Sequence, residues 1–248
     1  MEKLLLDPTD LVGVSFWIIS AAMVAATFFF WVERDRAVGK WKTSLTVAAM
    51  VTGIAAIHYF YMRGVWATTG ESPTVFRYVD WLLTVPLQIV EFFLILSAIA
   101  IVRTSLFWKL LIASIVMLVA GYFGELNPDN GAMLWGLFIV GTLAWLYIIY
   151  EIFAGEASKI NAASGTVASK KAFNALRIIV TFGWAIYPLG YIFGYIGEPG
   201  ANDATLNLIY NLADFVNKIA FGVVIWAAAT SPDSAVPLEE RGVPLSER

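Results

Sequence analysis

The sequence predicts an all-α protein, a bundle of seven transmembrane helices. The 248 residues are 59% hydrophobic and only 14% charged, whereas about a quarter of the residues in a soluble domain are charged. Seven apolar runs also follow one another, each of about 20 residues, the length that an α-helix needs to cross a ~30 Å hydrocarbon core. A transmembrane β-barrel is excluded, because its strands would alternate in polarity over stretches of ~10 residues.

Polar or turn-forming segments separate the helices, which are predicted at residues 11–32, 40–62, 74–98, 105–123, 132–153, 169–197 and 204–229. Residues 11–229 therefore form one transmembrane domain. Residues 1–10 are expected to be a short extracellular segment. Their apolar run is too short for a secretory signal and is interrupted by Asp7 and Pro8, so a signal is either lacking or already removed. The polar, proline-punctuated tail, residues 230–248, is predicted to be disordered.

Local signals support each helix in turn. The first stops before ERDR, and the second begins at Lys40 after a short connection, so the two are antiparallel neighbours. The segment VWATTGESP turns the chain, and Pro73 suits the first turn of the third helix. Pro86 lies inside that helix and removes a backbone donor. A kink or an adjusted hydrogen-bond pattern is therefore expected near Thr84.

The later helices are bounded in the same way. GELNPDNG, with Asn-Pro and Asp-Asn-Gly steps, favours a turn between the fourth and fifth helices. Residues 154–171 are the longest internal polar connection, are rich in Ala, Ser and Gly, and are predicted to be mobile. Pro188 interrupts the backbone hydrogen bonds of the sixth helix. The seventh helix carries a charged pair, Asp214 and Lys218.

Composition and charge narrow the possible functions. The chain has no Cys, which excludes disulfides, thiolate metal sites and cysteine nucleophiles, and its single His argues against a histidine-rich metal centre. Lipid is the expected surrounding, and nucleic acid is not an expected partner.

The distribution of Lys and Arg predicts the orientation. Lys3 and Arg63 lie on one side of the membrane, and the opposite side carries Arg34, Arg36, Lys40, Lys42, Arg103, Lys109, Lys159, Lys170, Lys171 and Arg177. Since basic residues accumulate on the cytoplasmic side, we expect the N-terminus outside and the C-terminus in the cytoplasm.

Charged residues lie inside the otherwise apolar third helix. Asp80 and Glu91 are eleven residues apart, nearly on one face and ~16 Å apart along the axis. Arg77 and Thr84 flank Asp80 at i−3 and i+4, so both are expected to reach its carboxylate and to hold it ionised. The sequence neighbours of Glu91 are apolar, which favours a protonated carboxyl. This helix offers a proton acceptor toward the outside and a donor toward the cytoplasm.

Two further ionisable residues lie at membrane depth and admit several explanations. Lys218 would cost several kcal/mol as an unpaired charge. It could pair with Asp214, bind an ion or substrate, or form a Schiff base with a carbonyl cofactor, for which Asp80 and Asp214 are available counterions. His58 is explained equally well by a functional role or by a histidine that one carboxylate or carbonyl satisfies.

Some residues suit either a packed core or a pocket for a flat ligand. Met117 and Gly121 are four residues apart, and Trp184, Tyr187 and Pro188 stand together in WAIYP. Taken alone, these residues are better explained by core packing.

Several stretches resemble one known family. RYVDWLLTVP in the third helix, WAIYP in the sixth and DFVNK in the seventh resemble microbial rhodopsins, seven-helix proteins that carry retinal on a lysine of the last helix. Longer stretches, among them HYFYMRGVW, SPTVFRYVDWLLTVP and LNLIYNLADFVNKI, look like the proteorhodopsins of marine bacteria. The resemblance spans residues 11–229.

The resemblance implies a light-driven outward proton pump of the bacterial inner membrane, a transporter rather than an enzyme, with covalently bound all-trans retinal. Lys218 would bear the Schiff base, Asp80 would be the counterion and proton acceptor, and Glu91 would be the donor. Asp214 would complete the counterion complex, with Arg77 balancing its charge.

The resemblance also implies roles for the remaining candidates. His58 would modulate the pKa of Asp80. Gln88 resembles the blue-absorbing group, where Leu is typical of the green one, although it could instead satisfy a backbone group beside Pro86. The retinal pocket would be lined by Trp81, Met117, Gly121, Trp184, Tyr187 and Pro188.

The triplet of Asp80, Thr84 and Glu91 resembles outward proton pumps. A chloride pump would lack the anionic acceptor, a sodium pump would carry Asn, Asp and Gln, and sensory members commonly lack the carboxyl donor. The alternatives are a slow-cycling sensory photoreceptor of the same fold, or a non-photochemical transporter or receptor that uses Asp214 and Lys218 as an ion pair. The family tends to form rings, so a homo-oligomer without an obligatory protein partner is expected.

Overall fold

The computed structural model describes residues 6–196 and 203–234, and the regular structure in this part of the chain is entirely helical. The α-helices are α1 (Leu11–Glu33), α2 (Lys40–Thr69), α3 (Thr74–Ile99), α4 (Thr104–Glu125), α5 (Gly131–Phe153), α6 (Glu156–Ser164), α7 (Val167–Ile178), α8 (Ile186–Tyr195) and α9 (Asp203–Ala229). Within these residues, seven spans are long and apolar enough to cross a membrane, with α7 and α8 forming the two halves of the sixth. The predicted seven-helix fold is confirmed.

The spans form a bundle around α2, α3 and α9. α1 to α5 pack on one another in sequence, and α9 packs on α1, α2, α7 and α8, which brings the first and last spans together. In the most apolar 18-residue stretch of each span, 50% of the residues are buried in α3 and in α9 and 56% in α2, but only 17% in the span that contains α5. Large apolar side chains on the outer surface, such as Phe28 and Phe182, are exposed and suit contact with lipid.

α2 is longer than predicted, because it continues past residue 62 to Thr69. It ends at Gly70, whose φ of 72° gives the left-handed conformation that commonly terminates helices. The last turn is also held from α1: Trp66 Nε1 donates to Asp10 Oδ2 at 2.8 Å, and the same carboxylate accepts from Gly13 N. These contacts are tertiary, so the local sequence pattern did not predict them.

The connection predicted to be mobile contains a helix. α6 lies inside residues 154–171, and α7 begins at Val167. The Ala residues counted as linker-like are strong helix formers, and both helix starts are capped. Glu151 accepts from Glu156 N at 2.9 Å, while the Thr166 hydroxyl accepts from Ser169 N at 3.1 Å.

The sixth span is interrupted, whereas the sequence predicts one helix over residues 169–197. Between α7 and α8 lie a π-helical segment, Ile179–Gly183, and a turn at Trp184 and Ala185. Trp184 N donates to Ile179 O at 3.0 Å, an i−5 bond, and Tyr187 N donates to Trp184 O at 3.1 Å, an i−3 bond. Pro188 follows this break, as expected of a residue that cannot donate.

α3, by contrast, stays α-helical across Pro86. At the end of the chain, the described part of the predicted disordered tail forms a short 3₁₀ turn, Pro232–Ser234. The remainder of the predicted tail lies outside the described residues, as does Glu198, to which no role is assigned.

Candidate functional site

The centre of the bundle contains a buried lysine between two buried carboxylates. Lys218 is 2% exposed, and Asp80 and Asp214 are fully buried. Lys218 Nζ contacts the Asp80 carboxylate directly and lies 3.1 Å from Asp214 Oδ2. α9 supplies Lys218 and Asp214 one turn apart, and α3 supplies Asp80 from the opposite side.

Asp214 is surrounded by hydrogen-bond donors. The hydroxyls of Tyr59 and Tyr187 donate to it at 2.8 Å and 2.7 Å, and Trp81 Nε1 donates at 3.1 Å. Together with Lys218, these groups satisfy both carboxylate oxygens and stabilise the ionised form.

Asp80 has far fewer partners. Lys218 contacts Oδ2, while Oδ1 has no hydrogen-bond partner among the described residues. His58 Nδ1 lies 3.8 Å from Oδ1, beyond hydrogen-bond distance, and 2.9 Å from the Ile54 carbonyl. The structure therefore places His58 beside Asp80 without a direct hydrogen bond between them.

Arg77 does not reach Asp80, contrary to the expectation from helical spacing. Its guanidinium donates to Asn207 Oδ1 at 2.8 Å and to Asn211 Oδ1 at 2.9 Å, both on α9. It also lies 3.4 Å from the Tyr59 hydroxyl, which in turn donates to Asp214. The guanidinium therefore points toward α9, and its hydrogen-bond connection to the Asp214 carboxylate runs through the Tyr59 hydroxyl.

Thr84 also differs from expectation. Its hydroxyl donates to the backbone carbonyl of Asp80 at 2.9 Å rather than to the carboxylate. Such an i−4 bond is a common alternative for Thr inside a helix. The side chain is buried and belongs to the local hydrogen-bond pattern preceding Pro86.

Glu91 lies on α3, ~16 Å along the axis from Asp80, in much less polar surroundings. It is 1% exposed, and within residues 6–196 and 203–234 neither carboxyl oxygen has a hydrogen-bond partner. Gln88, one turn earlier, is also buried, and its amide nitrogen likewise has no partner there. Phe92 packs edge-on against Phe173 of α7, with ring centroids 5.3 Å apart, so aromatic rings cover this end of α3.

A mostly apolar cavity leads away from the carboxylates between α3, α4, α5, α8 and α9. Its lining includes the candidate pocket residues Trp81, Met117, Gly121, Trp184, Tyr187 and Pro188. It is completed by Tyr78, Val85, Leu118, Glu125, Phe138, Gly141, Thr142, Trp145, Tyr191 and Tyr210. Gln88 is not among the lining residues.

The mostly aromatic and apolar lining of this cavity fits an apolar group attached to Lys218. Trp81 and Tyr187 line the cavity and also bind Asp214, which bonds to Lys218, so the cavity ends at the charged cluster. A Cβ at Gly121 would lie 2.8 Å from the Tyr78 hydroxyl. A side chain at this position would therefore crowd the wall, which accounts for glycine there.

Sequence reasoning did not identify the asparagines of α9. Asn207, Asn211, Asp214 and Lys218 are spaced by four, three and four residues, which places them on one helix face. That spacing is a visible signal of a continuous polar stripe facing α3. Asn211 also donates to Ser15 of α1 at 2.8 Å.

Comparison with known proteins agrees with this geometry. A family profile described as bacteriorhodopsin-like protein matches residues 10–232. The chain is 59% identical over 230 residues to the green-light absorbing proteorhodopsin of Gamma-proteobacterium EBAC31A08, covering 92% of this chain and 90% of the relative.

Solved structures are similar as well. The blue light-absorbing proteorhodopsin from Med12 has 56% identity and a TM-score of 0.76, with 89% of this chain and 98% of that chain covered. Xanthorhodopsin, described as a light-driven ion pump with dual chromophore, has 28% identity and a TM-score of 0.80, with 96% and 98% covered. The chain therefore belongs to the bacteriorhodopsin-like family, the microbial rhodopsins, and within it to the proteorhodopsins.

Proposed function

We propose that this protein is a light-driven outward proton pump that carries all-trans retinal on Lys218 as a protonated Schiff base. When bound, retinal supplies light absorption and an isomerisation from all-trans to 13-cis. The apolar cavity supports this proposal, because two of its lining residues, Trp81 and Tyr187, bind the Asp214 carboxylate that contacts Lys218. The description of xanthorhodopsin as a light-driven ion pump supports it as well. The protein's own residues supply the proton acceptor, the donor and the direction.

The observation that carries the proposal is the asymmetry between Asp80 and Asp214. Both carboxylates contact Lys218, but Asp214 also accepts from two tyrosines and a tryptophan. These donors favour its ionised form. Asp80 has a free oxygen, so it is the carboxylate able to take the proton from the Lys218 nitrogen. Asp214 remains as the permanent counterion.

Glu91 is the donor that reloads the Lys218 nitrogen. Its carboxyl is buried and has no hydrogen-bond partner in the described part of the chain, an environment that favours the protonated form. The Lys and Arg distribution supports an orientation in which Asp80 lies toward the outside and Glu91 toward the cytoplasm. Transfer to Asp80 followed by transfer from Glu91 therefore moves protons outward.

We propose that the protein absorbs blue light and that Gln88 is the cause. A polar amide that favours positive charge localised at the Lys218 nitrogen widens the energy gap for excitation. The chain is similar to both a green-absorbing and a blue-absorbing proteorhodopsin, so overall similarity does not choose the colour.

We further propose that the protein resides in a bacterial inner membrane and assembles as a homo-oligomeric ring, without an obligatory protein partner.

Light-driven acidification by vesicles or cells tests the pump. The retinal-supplied protein in oriented vesicles should move protons in the outward direction under illumination, and an uncoupler should abolish the pH change. A photocycle without net proton movement would refute pumping and favour a sensory role.

The Lys218→Ala variant tests the attachment site. The purified, retinal-supplied variant should lack the visible band that the parent protein shows. An unchanged band would show that retinal is not bound through Lys218. Lys171→Ala, an exposed lysine of α7, is the matched control and should retain the band.

A further inference from the structure

The break in the sixth span leaves two backbone carbonyls without the partner that a regular α-helix provides. Trp184 N donates to Ile179 O instead of Val180 O, and Tyr187 N donates to Trp184 O instead of Gly183 O. Buried carbonyls of this kind require replacement donors. The neighbouring helices supply them.

Trp145 of α5 donates to Val180 O at 2.9 Å, and Asn217 of α9 donates to Gly183 O at 2.9 Å. Asn217 is 2% exposed and Gly183 is partly buried. A Cβ at Gly183 would overlap the Asn217 amide oxygen. The close approach of the two helices at this point therefore depends on glycine.

Asn217 also connects directly to the charged cluster. It precedes Lys218 in the chain, and its amide nitrogen lies 3.4 Å from the Tyr187 hydroxyl, which donates to Asp214 at 2.7 Å. One side chain thus contacts the interrupted backbone of the sixth span and the hydroxyl that holds the counterion. Any displacement of α9 at Lys218 acts on both contacts.

The half of the sixth span beyond this break packs on α3 next to Glu91. Phe173 of α7 packs on Phe92, the residue after Glu91, and Phe173 and Leu176 are fully buried. Moving α7 outward at the π-helical segment would separate these rings and open a path to the donor. π-helical interruptions are frequent at functional sites and are recognised causes of helix kinks.

We propose that Asn217 is the positioning residue that holds the sixth span closed through Gly183 and releases it when Lys218 is displaced. This inference rests on the proposed function, in which light displaces the Lys218 side chain. Within residues 6–196 and 203–234, the Asn217 bond is the only hydrogen bond from α9 to the Gly183 carbonyl, so breaking it releases the sixth span from α9 at this point. α7 then moves as a unit and exposes Glu91.

The bond can be observed in the unaltered protein, because Gly183–Trp184 is the only Gly-Trp step in the sequence. Solid-state NMR on retinal-supplied protein with ¹³C-carbonyl Gly and ¹⁵N-Trp therefore selects one peptide group. Its carbonyl signal should move upfield in samples frozen under illumination with the visible band bleached. A second sample with ¹³C-carbonyl Gly and ¹⁵N-Leu selects Gly136–Leu137, which is also a unique step and lies on the α5 surface. The carbonyl signal of this control should not move.

Asn217→Leu tests the consequence, because it removes the donor while keeping a similar size. The chain has no cysteine, so Ile101→Cys and Lys171→Cys place one spin label beyond α3 and one on α7. The variant should retain a visible band, while the light-induced distance change between the labels should fall to less than half of the parent's. Its dark-state distance should already approach the illuminated value. Asn217→Gln, which keeps an amide donor, should restore part of the change.

The outcomes separate this inference from the proposed function. If illumination never bleaches the visible band of the parent, the proposed function fails. If the band bleaches while the Gly183 carbonyl signal stays in place, the role of Asn217 is refuted and the pump is unaffected. Equal distance changes in Asn217→Leu and the parent would also refute the role of Asn217. If that variant does not fold, the NMR measurement on the parent protein is the deciding test.

Discussion

Replacing Glu91 by Gln removes the carboxyl that we propose as the proton donor while keeping the size and shape of the side chain. Glu91 is 1% exposed and makes no hydrogen bond to another described residue, so the amide replaces a carboxyl without breaking a network. The other buried glutamates of the described chain are engaged elsewhere. Glu125 accepts from Tyr78 and Tyr195, and Glu151 caps α6. Among the buried glutamates of the described chain, Glu91 is therefore the one whose carboxyl is not already held by hydrogen bonds, as the proposed donor role requires.

The expected effect is a slow return of the proton to the Lys218 nitrogen. A positioned acid or base typically accelerates a proton transfer by about 10²–10⁴-fold. Loss of the donor should therefore slow reloading by at least about 100-fold, which corresponds to about 2.7 kcal/mol of barrier. Reloading must then draw on protons from the solvent, so its rate should fall in proportion to the proton concentration as the pH rises.

Flash photolysis of the retinal-supplied protein in vesicles measures this rate as recovery of the visible band. The parent should recover at a rate that changes little around neutral pH, and Glu91→Gln should recover slowly with a steep pH dependence. A small membrane-permeant weak acid should accelerate the variant. Glu151→Gln is the matched control, a buried carboxyl at the end of α5, and should recover like the parent. Recovery of Glu91→Gln at the parent rate and without pH dependence would refute the donor role.

Two further substitutions test the acceptor and the colour. Asp80→Asn should shift the visible band to longer wavelength and abolish outward pumping. Acidifying the parent protein should reproduce the shift, because Asp80 is then protonated. Spectra and acidification assays of the variant that are indistinguishable from those of the parent would contradict the assignment. Gln88→Leu should also shift the band to longer wavelength, because it removes the amide dipole that we propose favours positive charge at the Lys218 nitrogen. Because Gln88 does not line the cavity, the shift should be smaller than that of Asp80→Asn. A shift to shorter wavelength would exclude Gln88 as the cause of blue absorption.

The sequence predicts the spans well because a run of about 20 apolar residues has few alternatives to a helix in lipid. It predicts their ends less well, because the ends depend on contacts between distant segments. Asp10 bonds Trp66 at the end of α2. Inside the sixth span, the π-helical break is compensated by Trp145 and Asn217 from two other helices, and no local pattern contains that information.

The residues of the site were also predicted only in part, because the sequence gives their spacing along a helix but not the direction of each side chain. Spacing correctly indicates that Arg77 and Thr84 lie near Asp80 on α3, but it does not determine where their side chains point. Arg77 turns toward Asn207 and Asn211 because α9 presents two carbonyl oxygens there. Thr84 bonds its own helix. Predicting these directions requires knowledge of which face of α9 is opposite α3.

The two sides of Lys218 differ in a way that suits the proposed direction of transport. On the Asp80 side, Arg77 and the asparagines of α9 form a buried polar network that continues through Asn211 to Ser15 of α1. On the Glu91 side, the carboxyl has no hydrogen-bond partner in the described part of the chain, and two aromatic rings pack on each other next to it. In the proposed cycle, a proton leaving Lys218 therefore meets polar groups on one side at once. A proton arrives from the other side only after the packing beside Glu91 has opened, so we expect the break in the sixth span to control the step that prevents backflow.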